Sequence, residues 1–87
     1  MHIIAPRGKW MNLENLIGQV MVSAVGKTFK IVDVEDNDDI EDIIIRTNNK
    51  QIYNLYIAFT NNYLKFDNKN LNKEFKQFIK TNRSYKE

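Results

Sequence analysis

Apolar positions change their period twice along this chain. Leu13, Leu16 and Ile17 share one face at helical spacing. Asn12 stands where an N-cap oxygen is wanted, and Glu14 where the helix dipole favours an acid. Met11 and Leu16 hold the two positions of a hydrophobic staple, and Gly18 supplies the stop. A turn this short needs something to pack on. From Gln19 to Leu55 the period becomes that of strands. Val20, Val22 and Ala24 alternate, Gly26-Lys27 makes a turn, and Phe29 to Val34 forms a second strand rich in β-branched residues. A polar stretch from Glu35 to Glu41 reads as a loop. A third strand follows over Asp42 to Thr47 and a fourth over Gln51 to Leu55.

The last two strands admit two hairpin registers. A two-residue turn at Asn48-Asn49 pairs Ile43 with Asn54 and puts an amide on the apolar face. A three-residue loop, Asn48-Asn49-Lys50, pairs Ile45 with Tyr53 and Ile43 with Leu55, leaving that face wholly apolar. Register follows the pattern that buries one face, so the three-residue loop is expected, with asparagine tolerating its left-handed position. Which strand forms the outer edge, and so whether chains pair through it, stays open.

Past Leu55 the alternation stops. Tyr56 to Phe59, then Tyr63-Leu64 and Phe66, suggest a one-turn helix and a short extended piece crossing a barrel mouth. The final element returns to helical spacing over residues 71–82, with Asn70 as N-cap. Leu71, Phe75, Phe78 and Ile79 lie on one side, and Lys69, Lys73, Lys76, Lys80 and Arg83 on the opposite side. Residues 1–11, with Pro6-Arg7-Gly8 as a turn or extended signal, read as an arm, and residues 12–87 as one domain.

Composition adds bounds rather than an activity. Eighty-seven residues suit one domain with a modest core. Asn, Ile and Lys dominate, which implies an AT-rich genome, a low-GC bacterium or one of its mobile elements. There is no cysteine and no run of 18 apolar residues, and the opening residues lack a signal-peptide layout. The expectation is a cytoplasmic protein with no membrane segment. The net charge of +2 hides a polarised distribution, for seven of the eleven acids fall between Asp33 and Asp42 and seven of the thirteen bases from Lys65 onward.

Gly18 with Val20, Val25-Gly26-Lys27-Thr28 with Ile31, Ile43 and Ile45, then Tyr53, Leu55, Ala58-Phe59 and Leu64, resemble the apolar spacing of a small bacterial SH3-like, Tudor-like barrel domain. The sequence departs from that pattern at Thr28, where a second glycine is usual, and at Val25, where an aromatic is usual. It departs again at Tyr56, where a proline is usual, and lacks a histidine common in the first strand. The resemblance implies a docking role without catalysis; a related domain ends certain DNA-repair helicases and contacts RNA polymerase. The fold class expected is α+β, mainly β: an SH3-like barrel of four to five antiparallel strands with an N-terminal helical turn and a C-terminal amphipathic helix.

The usual catalytic parts are missing from the sequence. The single histidine is His2, the three glycines are too scattered for a phosphate loop, and no serine sits in a nucleophile elbow. No catalytic residue, cofactor or metal is expected. Asp36 and Asp38 have the local spacing of a calcium loop, but the loop glycine is missing and Thr47 stands where the bidentate glutamate belongs. A solvated loop is the better reading.

Three binding surfaces remain. Asp36, Asp38, Asp39 and Glu41 form an acidic lure for a protein partner. Tyr56 and Tyr63 are candidates for an exposed aromatic edge. The lysine stripe with Arg83 is the candidate nucleic-acid surface, although a helix that buries one face must expose charge on the other. The leading expectation is a non-catalytic interaction module docking on another protein, one that handles nucleic acid being among the candidates. Its rivals are a nucleic-acid-binding protein gripping phosphates through the basic helix, and a mobile-element-encoded inhibitor of a host nuclease or defence complex.

Overall fold

The structure, a computed structural model, describes residues 11–83 and the side chains of residues 11–81. The expected arm at 1–11 therefore lies outside the described residues except for Met11. A 3₁₀ turn over Leu13–Leu16 leads into β1 (Val20–Ser23) and β2 (Thr28–Glu35). A second 3₁₀ turn, Ile40–Asp42, precedes β3 (Ile44–Thr47) and β4 (Ile52–Asn54). A short helix, α1 (Leu55–Thr60), is followed by β5 (Leu64–Phe66) and the long helix α2 (Lys69–Arg83). The strands form one antiparallel sheet in the order β4-β3-β2-β1-β5. Mixed α+β, mainly β, thus describes the architecture. The sheet is not closed: β4 and β5 lie at its two edges, so the expected barrel is not what the strand pairing forms.

The β3–β4 hairpin adopts the register that keeps one face apolar. Ile45 lies opposite Tyr53, and the Leu55 N–H donates to the Ile43 carbonyl at 2.8 Å. The left-handed residue of the loop is Lys50, with φ 65°, rather than either asparagine. The asparagines have other work. Asn48 takes the place of a strand residue, its Oδ1 accepting the Lys30 N–H at 3.1 Å and its own N–H donating to the Lys30 carbonyl at 2.9 Å. Asn49 accepts from the hydroxyl of Thr47, which is 3 % exposed and also receives the Gln51 N–H, so that this buried polar group is satisfied.

β1 corrects the sequence reading by one residue. Val20 and Val22 are half-buried and Ala24 is exposed, while Met21 between the valines is fully buried. The pairing explains the phase. Met21 lies opposite both Phe29 and Phe66, and opposed residues of antiparallel strands share a face. Between β2 and β3, Ile31 pairs with Thr47 but Asp33 with Arg46, so Val32 is an extra, bulged residue. The third strand starts two residues later than expected because Asp42 belongs to the second 3₁₀ turn, which Asp39 caps through the Glu41 N–H at 3.0 Å.

The helices close the core from one end. Asn54 caps α1 by accepting the Ile57 N–H, and Leu55, Ala58 and Phe59 face inward. Asn62 ends it in the left-handed conformation, φ 62°. The Tyr63 N–H then reaches the Ala58 carbonyl and the Asn62 N–H the Phe59 carbonyl, the double bond of a Schellman stop. For α2 the cap is Asn68, not Asn70: its Oδ1 accepts from the N–H groups of Asn70 and Leu71 at 2.9 and 3.1 Å. Phe75, fully buried, is the hub, with ring centroids 4.8, 5.6 and 5.7 Å from Phe59, Phe66 and Phe78. Asn72 locks the helix to the sheet. Its Oδ1 accepts the Phe66 N–H at 2.8 Å and its Nδ2 donates to the Phe66 carbonyl at 2.7 Å, so a side-chain amide occupies the outer edge of β5.

Candidate functional site

The acidic loop is built from hydrogen bonds to its own backbone. Asp36 accepts the Asp38 N–H at 2.9 Å and so supports the left-handed φ of 63° at Asp38. Asp39 caps the following 3₁₀ turn. Asn37 bridges the base of the loop, donating to Glu35 Oε2 at 3.3 Å and the Asp42 carbonyl at 3.0 Å. Glu41 is tied in through its carbonyl, which accepts from Asn54 at 2.8 Å. At the strand end, Arg46 approaches Asp33 at 3.2 Å and Glu35 at 3.7 Å, neutralising part of the cluster in solvent. The carboxylates of Asp33, Glu35, Asp36 and Asp39 are therefore engaged within the loop's own structure.

Beside this loop lies a cleft of about 580 Å³ between the first 3₁₀ turn and the end of β2. Met11, Leu13, Ile17 and Val34 give it apolar walls; Asn12, Glu14 and Asp36 give it polar ones. Ile17 was expected to pack with Leu13 and Leu16, yet it is 46 % exposed where they are 6 and 0 %. Ile17 lies past the end of the 3₁₀ turn, its backbone already extended at φ −65° and ψ 129°, so it leaves the helical face before Gly18, φ 92°, redirects the chain. Neither Glu14 nor Asp36 pairs with a cation among the described residues.

The two tyrosines part company. Tyr56 is half-buried and packs against the core cluster, contrary to its expected exposure. Tyr63 is 62 % exposed. It does not join the acidic loop in one surface. The Tyr63 carbonyl accepts from Ala24, beside the start of β2, whereas Asp36 follows the end of that strand. At about 3.3 Å per residue the two stand roughly 25 Å apart.

The lysine stripe has the geometry the sequence implied. Lys69, Lys73, Lys76 and Lys80 are all exposed on α2, behind the face carrying Phe75, Phe78 and Ile79. None of them pairs with an acid among the described residues. The Arg83 side chain lies outside the described residues, as does His2.

Among the described residues no group of three or more His, Asp or Glu side chains is placed to hold a metal ion, and no helix is long and apolar enough to cross a membrane. No family model matches the chain, and no curated protein and no solved structure matches it. Two positions that shape these surfaces were not marked in the sequence. Ile17 was hidden by its helical spacing, and only the glycine after it hinted at a reversal. Asn72 was hidden as one more asparagine in a helix, although a polar residue next to Leu71 and three before Phe75 falls beside the buried face.

Proposed function

We propose that this domain is a non-catalytic protein-interaction module that docks on a partner protein through the cleft beside its acidic loop. The observation that carries the reading is the pairing, in one concave site, of an exposed apolar residue, Ile17, with two carboxylates that meet no cation among the described residues, Glu14 and Asp36. The volume is within the roughly 300–1,000 Å³ of ordinary binding pockets, room for the side chains of a short segment. Apolar walls with an acidic rim suit a partner segment in which an apolar anchor sits beside lysine or arginine. The apolar contact supplies affinity and the charges orient the approach. The rigid acidic loop next to the cleft extends the same field at little further ordering cost.

The strand order supports the SH3-like, Tudor-like resemblance as well. Four strands meander, and after a short helix the fifth returns to the first, as in an SH3-like barrel opened between β4 and β5. Docking without catalysis is what that resemblance implies.

Photo-crosslinking from the intact chain tests the proposal. A crosslinker at Ile17 is expected to yield a defined protein adduct in cell extract. One at Val25, in the turn at the far end of the sheet, is not. The adduct should disappear in Glu14→Lys/Asp36→Lys. Equal adducts from both positions, no adduct at position 17, or an adduct indifferent to the charge reversal would each defeat the reading.

A further inference from the structure

We infer that the exposed ridge of α2 is a phosphate-tracking surface for nucleic acid, separate from the cleft and independent of the partner that the cleft takes. Lys69, Lys73, Lys76 and Lys80 follow one another at intervals of four, three and four residues. At 3.6 residues per turn these positions fall within a sector of about 60° and extend along about 16 Å of the helix. The ridge is straight and narrow. Glu74, the acid within this segment of α2, stands outside the sector.

Two further observations single this ridge out. Its four ammonium groups make no ion pair among the described residues, although seven acids lie between Asp33 and Asp42 in the same small domain. And Lys69 is the first residue of α2, in a first turn without any acid. That is the positive end of the helix dipole, where a cation is locally unfavourable and an anion is favoured. The helix therefore begins with positive potential that no side chain of its first turn offsets. Asn72 and the phenylalanine cluster hold α2 to the body, so the ridge is presented by a rigid element.

Nucleic acid fits this surface better than an acidic protein. Lysines three and four residues apart rise about 4.5–6 Å per step, and a nucleic-acid strand carries one phosphate per 3.4 Å of duplex axis. The ridge of about 16 Å therefore spans about five phosphate steps, enough for each of the four lysines to meet a different phosphate of one strand. Lysine meets each phosphate as a point charge, without the forked geometry of arginine, so binding is expected to be indifferent to base sequence.

The counterion argument makes the proposal quantitative. Four neutralised phosphates give a slope of log affinity against log salt of roughly −3 to −3.5, and a loss of roughly 50- to 150-fold between 50 and 200 mM salt. Fluorescence anisotropy with the intact chain, a labelled 20-nucleotide single strand and the corresponding duplex reads this directly. The two arms decide which form of nucleic acid is preferred, and either supports the proposal if its slope falls in that range. Lys73→Gln/Lys76→Gln/Lys80→Gln should lower the slope to about −1 and weaken binding at 50 mM salt by at least roughly ten-fold. Lys27→Gln/Lys50→Gln, away from the ridge, should leave both unchanged. Circular dichroism on every variant shows that the fold is kept. No binding at 50 mM salt, a slope near zero, or equal loss in both sets of variants would overturn the inference. So would equal binding of an acidic polypeptide of matched charge. Ile17→Ser, which removes the apolar residue of the cleft without changing the charge, should leave nucleic-acid binding and its slope unchanged, so failure of the ridge and failure of the cleft are told apart.

Discussion

The acidic loop and the lysine ridge look alike as sequence, each a run of like charge, and differ in what surrounds the charges. In the loop, Asp36 and Asp39 receive backbone N–H groups, and Asp33 and Glu35 share the guanidinium of Arg46. Its carboxylates shape the chain between β2 and β3. On α2 the order is reversed: apolar side chains and Asn72 fix the helix, and the lysines are left over. A charge run made by turn chemistry is first of all structural. One that contributes nothing to its own element is the better place to look for a ligand. Asp36 belongs to both settings: it accepts the Asp38 N–H and also lines the cleft with Glu14 and Ile17.

The contrast can be tested on stability. The largest effect is expected at the root of the ridge. Phe75→Ala should cost about 3–5 kcal/mol, a large part of the stability of a domain this size, because the ring is enclosed by three others. Denaturant unfolding checks it, and a loss under about 1 kcal/mol would mean that α2 is not held through its apolar face. Asn72→Ala comes next, at about 2 kcal/mol, since two hydrogen bonds go and the Phe66 backbone is left with an open edge. Amide exchange at Phe66 should accelerate with it. The smallest pair draws the line between the two charge runs. Asp39→Ala should cost about 1 kcal/mol and Asp39→Asn less, because asparagine also caps. Lys76→Gln should stay within about 0.5 kcal/mol of the parent. If the lysine change proves the costlier, the comparison is wrong.

How much was legible depended on whether a residue's role was set by its neighbours in the chain. The β3–β4 register was readable because only one pairing keeps Ile43, Ile45, Tyr53 and Leu55 on a common face. The helical turn at 13–16, α1 and α2 were readable from spacing and caps. The cap of α2 was misplaced by two residues because Asn68 and Asn70 are equivalent candidates locally. β1 was misread because both of its faces are apolar, Val20 and Val22 on one side and Met21 on the other. The choice falls to Phe29 and Phe66, the second of them forty-five residues away. Of the candidate site residues, the lysines were placed correctly, since an amphipathic helix fixes its own outer face. Tyr56, expected exposed, is half-buried, and Ile17, expected on the apolar face with Leu13 and Leu16, is exposed, because each stands at the margin of a helical turn where spacing alone leaves both orientations open.

The sequence by itself determined the order of the strands and of the first helical turn, α1 and α2, the hairpin register, the apolar side of α2 and the lysines opposite it, but not the 3₁₀ turn at Ile40–Asp42. Each of these follows from side-chain periodicity and backbone chemistry within a few residues. Tertiary structure alone decided that β5 returns to β1, that the sheet stays open between β4 and β5, and that Asn72 takes up the edge of β5. It also decided which acids are engaged in the fold and that Asp36, one of them, lines a cleft with Glu14 and Ile17. The physical reason is that pairing across the sheet joins groups far apart in the chain, and a hydrogen bond or ion pair exists only once both partners have been brought into place.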